Sequence, residues 1–119
     1  MVSGDYQVDG GLNATDQLLS SRRKFTALFA ANDQMAYGAR LSLFRAGIRV
    51  PEDVSIVGFD DLPHSAFTLP PLTTVRQSIY EVGARAARVL LDLIDGRTPE
   101  PIQIPAELVA RESTRICRR

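Results

Sequence analysis

The sequence predicts an α/β fold: a parallel sheet with flanking helices. Two short, almost wholly apolar runs at residues 25–31 and 54–59 have the length and flanks of buried strands. Amphipathic segments of helical period alternate with them, and that alternation is the mark of a parallel sheet covered on both faces. The composition agrees, with 45% hydrophobic and 24% charged residues in a chain of 119. That length suits one domain or part of one.

Taken in order, residues 1–11 are polar and glycine-rich and predict a loop. Residues 11–21 carry Leu12, Leu18 and Leu19 at helical spacing and predict a helix, which Arg22, Arg23 and Lys24 end in a basic turn. The strand at 25–31 runs straight into Asn32 and Asp33, both good helix N-caps. A helix over 34–46 follows, with Met35, Ala39 and Leu43 on one side and Gly47 as its stop. Pro51 breaks the chain before the β-branched strand at 54–59, which ends at Asp60 and Asp61. Pro63, Pro70 and Pro71 then allow only a turn or two of helix. Residues 72–76 can be a short extended piece.

The strongest helix spans 78–95. Ile79, Val82, Ala86, Val89, Leu90 and Leu93 make its apolar stripe, and Gly96 stops it. Strands are expected at 102–104 and 108–110, with a basic, frayed tail from Ser113.

Bulk properties exclude several functions. Fourteen basic residues balance fourteen acidic ones, so no net field draws this chain to nucleic acid. The single cysteine, Cys117, cannot close an internal disulfide, which suits a reducing cytoplasm. No cluster has metal-ligand spacing, and no cofactor is expected. Apolar runs such as 27–31 are too short to span a bilayer, and the N-terminus lacks a signal-peptide pattern.

In a parallel sheet the ligand binds beyond the carboxyl ends of the strands. That rule selects Asn32 and Asp33 after one strand and Asp60 and Asp61 after the next. Asn32 brings an acceptor and two donors, and Asp60 an acidic acceptor, a pair suited to a ligand with several hydroxyl or amine groups. The competing role is that of helix caps and turn formers, preferred for Asp33 and Asp61. Ligand contact is preferred for Asp60, the first residue past a buried strand. Tyr6 could cover one face of a sugar or base, or simply pack.

Catalytic readings are weaker. Asp60 and Asp61 are adjacent and point in different directions, so they cannot flank one bond. His64 is the one histidine and no nucleophile pattern lies beside it, which favours surface or interface. Gly58 is alone inside its strand, so no phosphate loop forms. Arg118 and Arg119 suit a solvated tail better than a binding patch.

Four motifs in order carry a more specific signal: AAND at 30–33, VPEDVSIVGFDD at 50–61, PPLTTVRQ at 70–77 and LVARES at 108–113, with GDY at 4–6 beside them. Together with their surroundings in 25–91 and 105–113, they resemble the lactose/galactose repressor family of bacterial transcription regulators. The resemblance implies a periplasmic-binding-protein-like sensor of two subdomains with a ligand cleft between them. Residues 1–77 and 102–113 would belong to the C-terminal subdomain, and the helix at 78–96 would cross to the N-terminal one.

By the same resemblance, Asn32 and Asp60 would hydrogen-bond a small effector, a sugar or a nucleoside or purine. Tyr6 would pack on it, Gln77 would lie at a hinge beside the cleft, and Ile79 would line it. Tyr37, Leu41, His64 and Phe67 would belong to a homodimer surface. The family's helix-turn-helix headpiece has no match in these residues, so operator DNA would be reached only through a part outside them. The resemblance implies no enzyme activity and no membrane contact. A sugar-binding transport protein of the same fold is the alternative.

Overall fold

A computed structural model describes residues 1–101 and 103–116. The element order is α1 (Val8–Ser20), β1 (Ala27–Phe29), α2 (Asp33–Arg45), β2 (Ser55–Asp60), a 3-10 turn (Pro63–Phe67), β3 (Thr73–Arg76), α3 (Ile79–Ile94) and β4 (Glu107–Val109). The strands form one sheet in the order β1-β2-β3-β4. β1 runs parallel to β2 with Phe29 opposite Val57, and β2 parallel to β3 with Phe59 opposite Val75. β4 is antiparallel to β3, so the sheet is mixed at that edge rather than parallel throughout. An antiparallel edge strand on a parallel sheet is a common arrangement.

The helix α1 begins at Val8, where a loop was expected. Two adjacent glycines in its first turn lower its propensity by roughly 1 kcal/mol each against alanine. Packing overrides this. A Cβ at Gly11 would meet the backbone of Met35, and one at Gly38 would meet the backbone of Val8 and Leu12. Glycine at both positions lets α1 and α2 lie backbone against backbone, and Ser42 on α2 is hydrogen-bonded to Asp16 on α1.

The start of α2 is capped by Asn32, whose side-chain oxygen accepts the Met35 N–H at 2.9 Å. Its end is closed by Gly47, at φ 71°, in the left-handed conformation that glycine adopts freely. Between them α2 lays Ala36 and Leu43 on a core completed by Ala30, Val54, Ile56 and Leu72. Leu28, Phe25 and Ile48 pack against its edge.

Other expectations need correction. Ile102 lies outside the described residues, and Gln103 and Ile104 form no strand. The tail is not frayed at Ser113. That residue is fully buried, and its hydroxyl donates to the Ile56 carbonyl at 2.7 Å and accepts the Thr73 N–H at 2.8 Å. The Ile56 N–H in turn donates to the Ser113 carbonyl at 2.8 Å, which pins the chain across β2 and β3. Cys117, Arg118 and Arg119 lie outside the described residues.

Nor do the helices cover both faces of the sheet as expected, for α3 contains no buried residue at all. No helix among the described residues is long and apolar enough to cross a membrane.

Candidate functional site

The candidate residues gather at the carboxyl ends of the parallel strands. Asn32 lies three residues past Phe29, and Asp60 three past Val57, which Phe29 faces across the ladder. Both therefore lie at the carboxyl ends of neighbouring parallel strands. Each has a partner. The Asn32 side-chain amide donates to the Tyr6 carbonyl at 3.0 Å, drawing the residues before α1 onto the start of α2. Gln77, just past β3, donates from Nε2 to Asp60 Oδ1 at 2.9 Å.

Of the two roles the sequence allowed for Asn32, the structure shows that of the helix cap. The residue also stands at the strand end with donor capacity left. Asp60 has a positive φ of 108°, a conformation most side chains avoid, and it presents its second carboxylate oxygen with no hydrogen-bond partner among the described residues. Backbone strain of this kind recurs at functional sites. Tyr6 also has positive φ, 64°, and its ring is largely exposed. Ile79 opens α3 beside Gln77 and is exposed as well. The structure ties Tyr6 to Asn32 and Asp60 to Gln77, whereas Ile79 makes no polar tie.

The neighbouring carboxylates do other work. Asp33 is completely buried. Its Oδ1 accepts from the Thr74 hydroxyl at 2.5 Å, and its Oδ2 accepts from the Ser65 hydroxyl at 2.6 Å and the Leu62 N–H at 2.8 Å. One side chain so joins α2, β3 and the turn after β2. Gly58 leaves it room, since a Cβ there would meet Asp33 Oδ1.

Asp61 receives Arg76 Nε and Arg111 Nη2, each at 2.7 Å. Burial penalises its charge, but the two guanidiniums outweigh that and hold the carboxyl below its ordinary range. Both aspartates therefore serve the fold, and they set Asn32 and Asp60 in place from one residue away. Nothing in the local sequence marked Thr74, Ser65 or Arg111 as their partners.

The second expected surface is separate. The Tyr37 hydroxyl bonds Ser65 Oγ at 2.8 Å. Burial raises its phenol above the ordinary value, opposed by that hydrogen bond. Leu41, His64 and Phe67 are exposed nearby. Two residues that sequence reasoning did not select, Phe44 and Leu69, are 79% and 90% exposed and border a concavity of about 750 Å³ with Tyr37 and Leu41. That concavity does not include Asn32, Asp60 or Gln77. The strand-end residues Asn32, Asp60 and Gln77, each half-buried, form a shelf at the carboxyl ends of the strands. No group of three metal-ligating side chains occurs among the described residues.

Residues 2–114 match the model of the periplasmic binding protein-like domain. The chain belongs to that family. Its curated relatives are transcriptional regulators. It is 38% identical over 120 residues to the HTH-type transcriptional repressor PurR of Haemophilus influenzae, covering 97% of this chain and 36% of that protein. It is 41% identical over 117 residues to the HTH-type transcriptional repressor CytR of Escherichia coli, covering 97% and 34%.

Among solved structures, the lac repressor dimer bound to operator and the anti-inducer ONPF superposes with a TM-score of 0.85 at 38% identity, over 93% of this chain and 39% of that one. The transcriptional regulator CelR in complex with cellobiose gives 0.84 at 40% identity, over 92% and 34%. The chain spans about a third of the length of the curated relatives it matches. These matches bear out the resemblance to the lactose/galactose repressor family and favour the sensor of a regulator over a transport protein.

Proposed function

We propose that this chain is the effector-sensing portion of a cytoplasmic DNA-binding transcription regulator, a repressor, and that its strand-end shelf binds a small sugar or nucleoside-like ligand. The observation that carries the reading is the placement of Asp60. It ends β2 in a strained conformation, shares one oxygen with Gln77 and keeps the other for a ligand donor. Asn32, after the neighbouring strand, supplies a further polar group, and Tyr6 an aromatic face. No step of bond-making is needed, and the shelf acts by binding alone. Its relatives support the ligand class, since CelR is solved with cellobiose.

The mechanism is linkage. A ligand that fits one arrangement of two subdomains better than another shifts the population toward it, and a DNA-binding part attached to them feels the shift. Residues 1–77 and 102–113 form one wall, and the helix at 78–96 passes to the second subdomain. Its exposed apolar stripe supports that placement, because such a stripe requires a cover. Operator DNA is contacted through a helix-turn-helix part outside these residues. The active species is a homodimer joined through Tyr37, Leu41, His64 and Phe67.

A thermal-shift screen of mono- and disaccharides, purines and nucleosides tests the reading. One class raising the melting temperature in a saturable way supports it. No shift across both classes, with the protein folded, speaks against it.

A further inference from the structure

The two aspartates that end and follow β2 are met very differently by the rest of the chain. Asp61 receives two guanidiniums, Arg76 Nε and Arg111 Nη2, each at 2.7 Å. Asp60 receives only the neutral amide of Gln77, at 2.9 Å, and has no ion pair among the described residues. Neither arginine is free to serve it. Arg76 is also drawn to Glu107 at 3.7 Å, and Arg111 donates from Nη1 to the Leu72 carbonyl at 2.8 Å. The half-buried carboxylate of Asp60 thus stands at the shelf with no cation to offset its charge.

Other features at this end that could attract an anion are already answered from within the chain. Helix N-termini carry partial positive charge and bind anions. Asp9 lies in the first turn of α1, Asp33 in that of α2 and Glu81 in that of α3, and side chains of Asn32 and Ser78 cap the last two. Asp5, next to Tyr6, adds a further carboxylate, whose Oδ1 accepts the Gln7 N–H at 3.0 Å. Arg22, Arg23 and Lys24, which have no ion pair among the described residues, follow the opposite end of α1. The 13 residues of that helix put them about 20 Å from its start, beyond the reach of screened charge. The shelf end of the chain is therefore negative.

We propose that the shelf selects against ligands bearing a phosphate or carboxylate, so that the effector is a free sugar or a nucleoside rather than a sugar phosphate, uronic acid or nucleotide, and that Asp60 sets this limit by its charge. This rests on the ligand-site reading given above and narrows it. The anionic derivatives keep most hydroxyl groups of their parents, so hydrogen bonding alone separates them poorly. Repulsion does separate them, because like charges brought together in a partly desolvated site are strongly unfavourable.

Calorimetric titration of the full chain tests the limit with matched pairs: galactose and galacturonate, glucose and glucose 6-phosphate, ribose and ribose 5-phosphate, adenosine and its 5′-monophosphate, cytidine and its 5′-monophosphate. For each parent that binds, the anion is expected to bind about 30-fold or more weakly at low salt. The gap is expected to shrink as salt rises, since screening weakens repulsion and leaves shape untouched. Gln77→Lys sets an ammonium beside Asp60 in place of the amide and is expected to narrow the gap by about 10-fold.

No binding by any parent or derivative overturns the ligand-site reading and this limit with it. A parent that binds no more tightly than its anion overturns the limit alone. A gap that neither salt nor Gln77→Lys narrows comes from the bulk of the added group and refutes the charge of Asp60 as its source. Should Gln77→Lys fail to fold, Asp60→Asn removes the charge at the same place. The gap must then narrow in that variant, and an undiminished gap refutes the proposal.

Discussion

Replacing Asp33 should be among the most damaging single changes in this chain, and its cost can be worked from three hydrogen bonds. The carboxylate accepts from the Leu62 N–H, the Ser65 hydroxyl and the Thr74 hydroxyl in a site with no water contact. In Asp33→Ala the two hydroxyls can turn. Ser65 can donate to the Tyr37 oxygen instead, since the two hydroxyls already touch at 2.8 Å. The Leu62 N–H cannot turn and is stranded, at about 1–3 kcal/mol. Adding part of the two charge-assisted bonds brings the total to about 3–5 kcal/mol.

Asp33→Asn is the informative comparison. An amide oriented with its oxygen toward Leu62 and Ser65 puts its NH2 toward Thr74, whose hydroxyl can accept. The expected cost is about 1–2 kcal/mol. Urea unfolding followed by circular dichroism reads both, with an unchanged m-value confirming that the same surface is exposed. An Asp33→Ala protein within about 1 kcal/mol of wild type, or an Asn variant as damaged as the Ala one, would refute the reasoning.

Further outcomes are expected. Asp61, held below the ordinary carboxylate range by Arg111 and Arg76, contributes stability that is complete above the unfolded value near pH 3.9 and is lost as pH falls toward its lower folded value. Asp61→Asn should flatten the unfolding curve in that acid window, and a wild-type acid slope in the variant contradicts the assignment. Gly38→Ala drives a methyl against the backbone of Val8 and Leu12 and should cost about 1–3 kcal/mol in thermal unfolding, where a neutral result would mean that α1 and α2 lie farther apart. The bare apolar stripe of α3 should bind a hydrophobic dye and favour association in light scattering behind a sizing column. A sharp monomer peak without dye binding would show that α3 finds cover on its own sheet.

Much of this fold was legible because local signals agreed. β1 and α2 meet at an apolar run followed by Asn32, a residue that can cap, and Gly47 sits where a left-handed residue must end the helix. β2 announced itself by β-branched residues between Pro51 and the paired aspartates.

What escaped depends on contacts that no local pattern encodes. The first turn of α1 looks unhelical until Gly11 and Gly38 are seen to permit close approach. Ser113 lies in a polar tail by sequence, yet it bonds Ile56, 57 residues away. β4 turned antiparallel because the chain returns past α3 to the free edge of β3.

At the site, the strand-end rule selected Asn32 and Asp60 but said nothing of how they are held. The anchoring of Asp33 to Thr74 spans 41 positions and appears only once β2 and β3 are in register.

The central claim is that Asp60 offers a carboxylate oxygen to a small polar ligand. Calorimetric titration of wild type and Asp60→Asn with the tightest ligand of the sugar and nucleoside screen tests it directly. Loss of one or more hydrogen bonds to a charged acceptor should weaken binding by about 10- to 150-fold, with the unfolding midpoint little changed. Equal affinity in the two proteins would contradict the account.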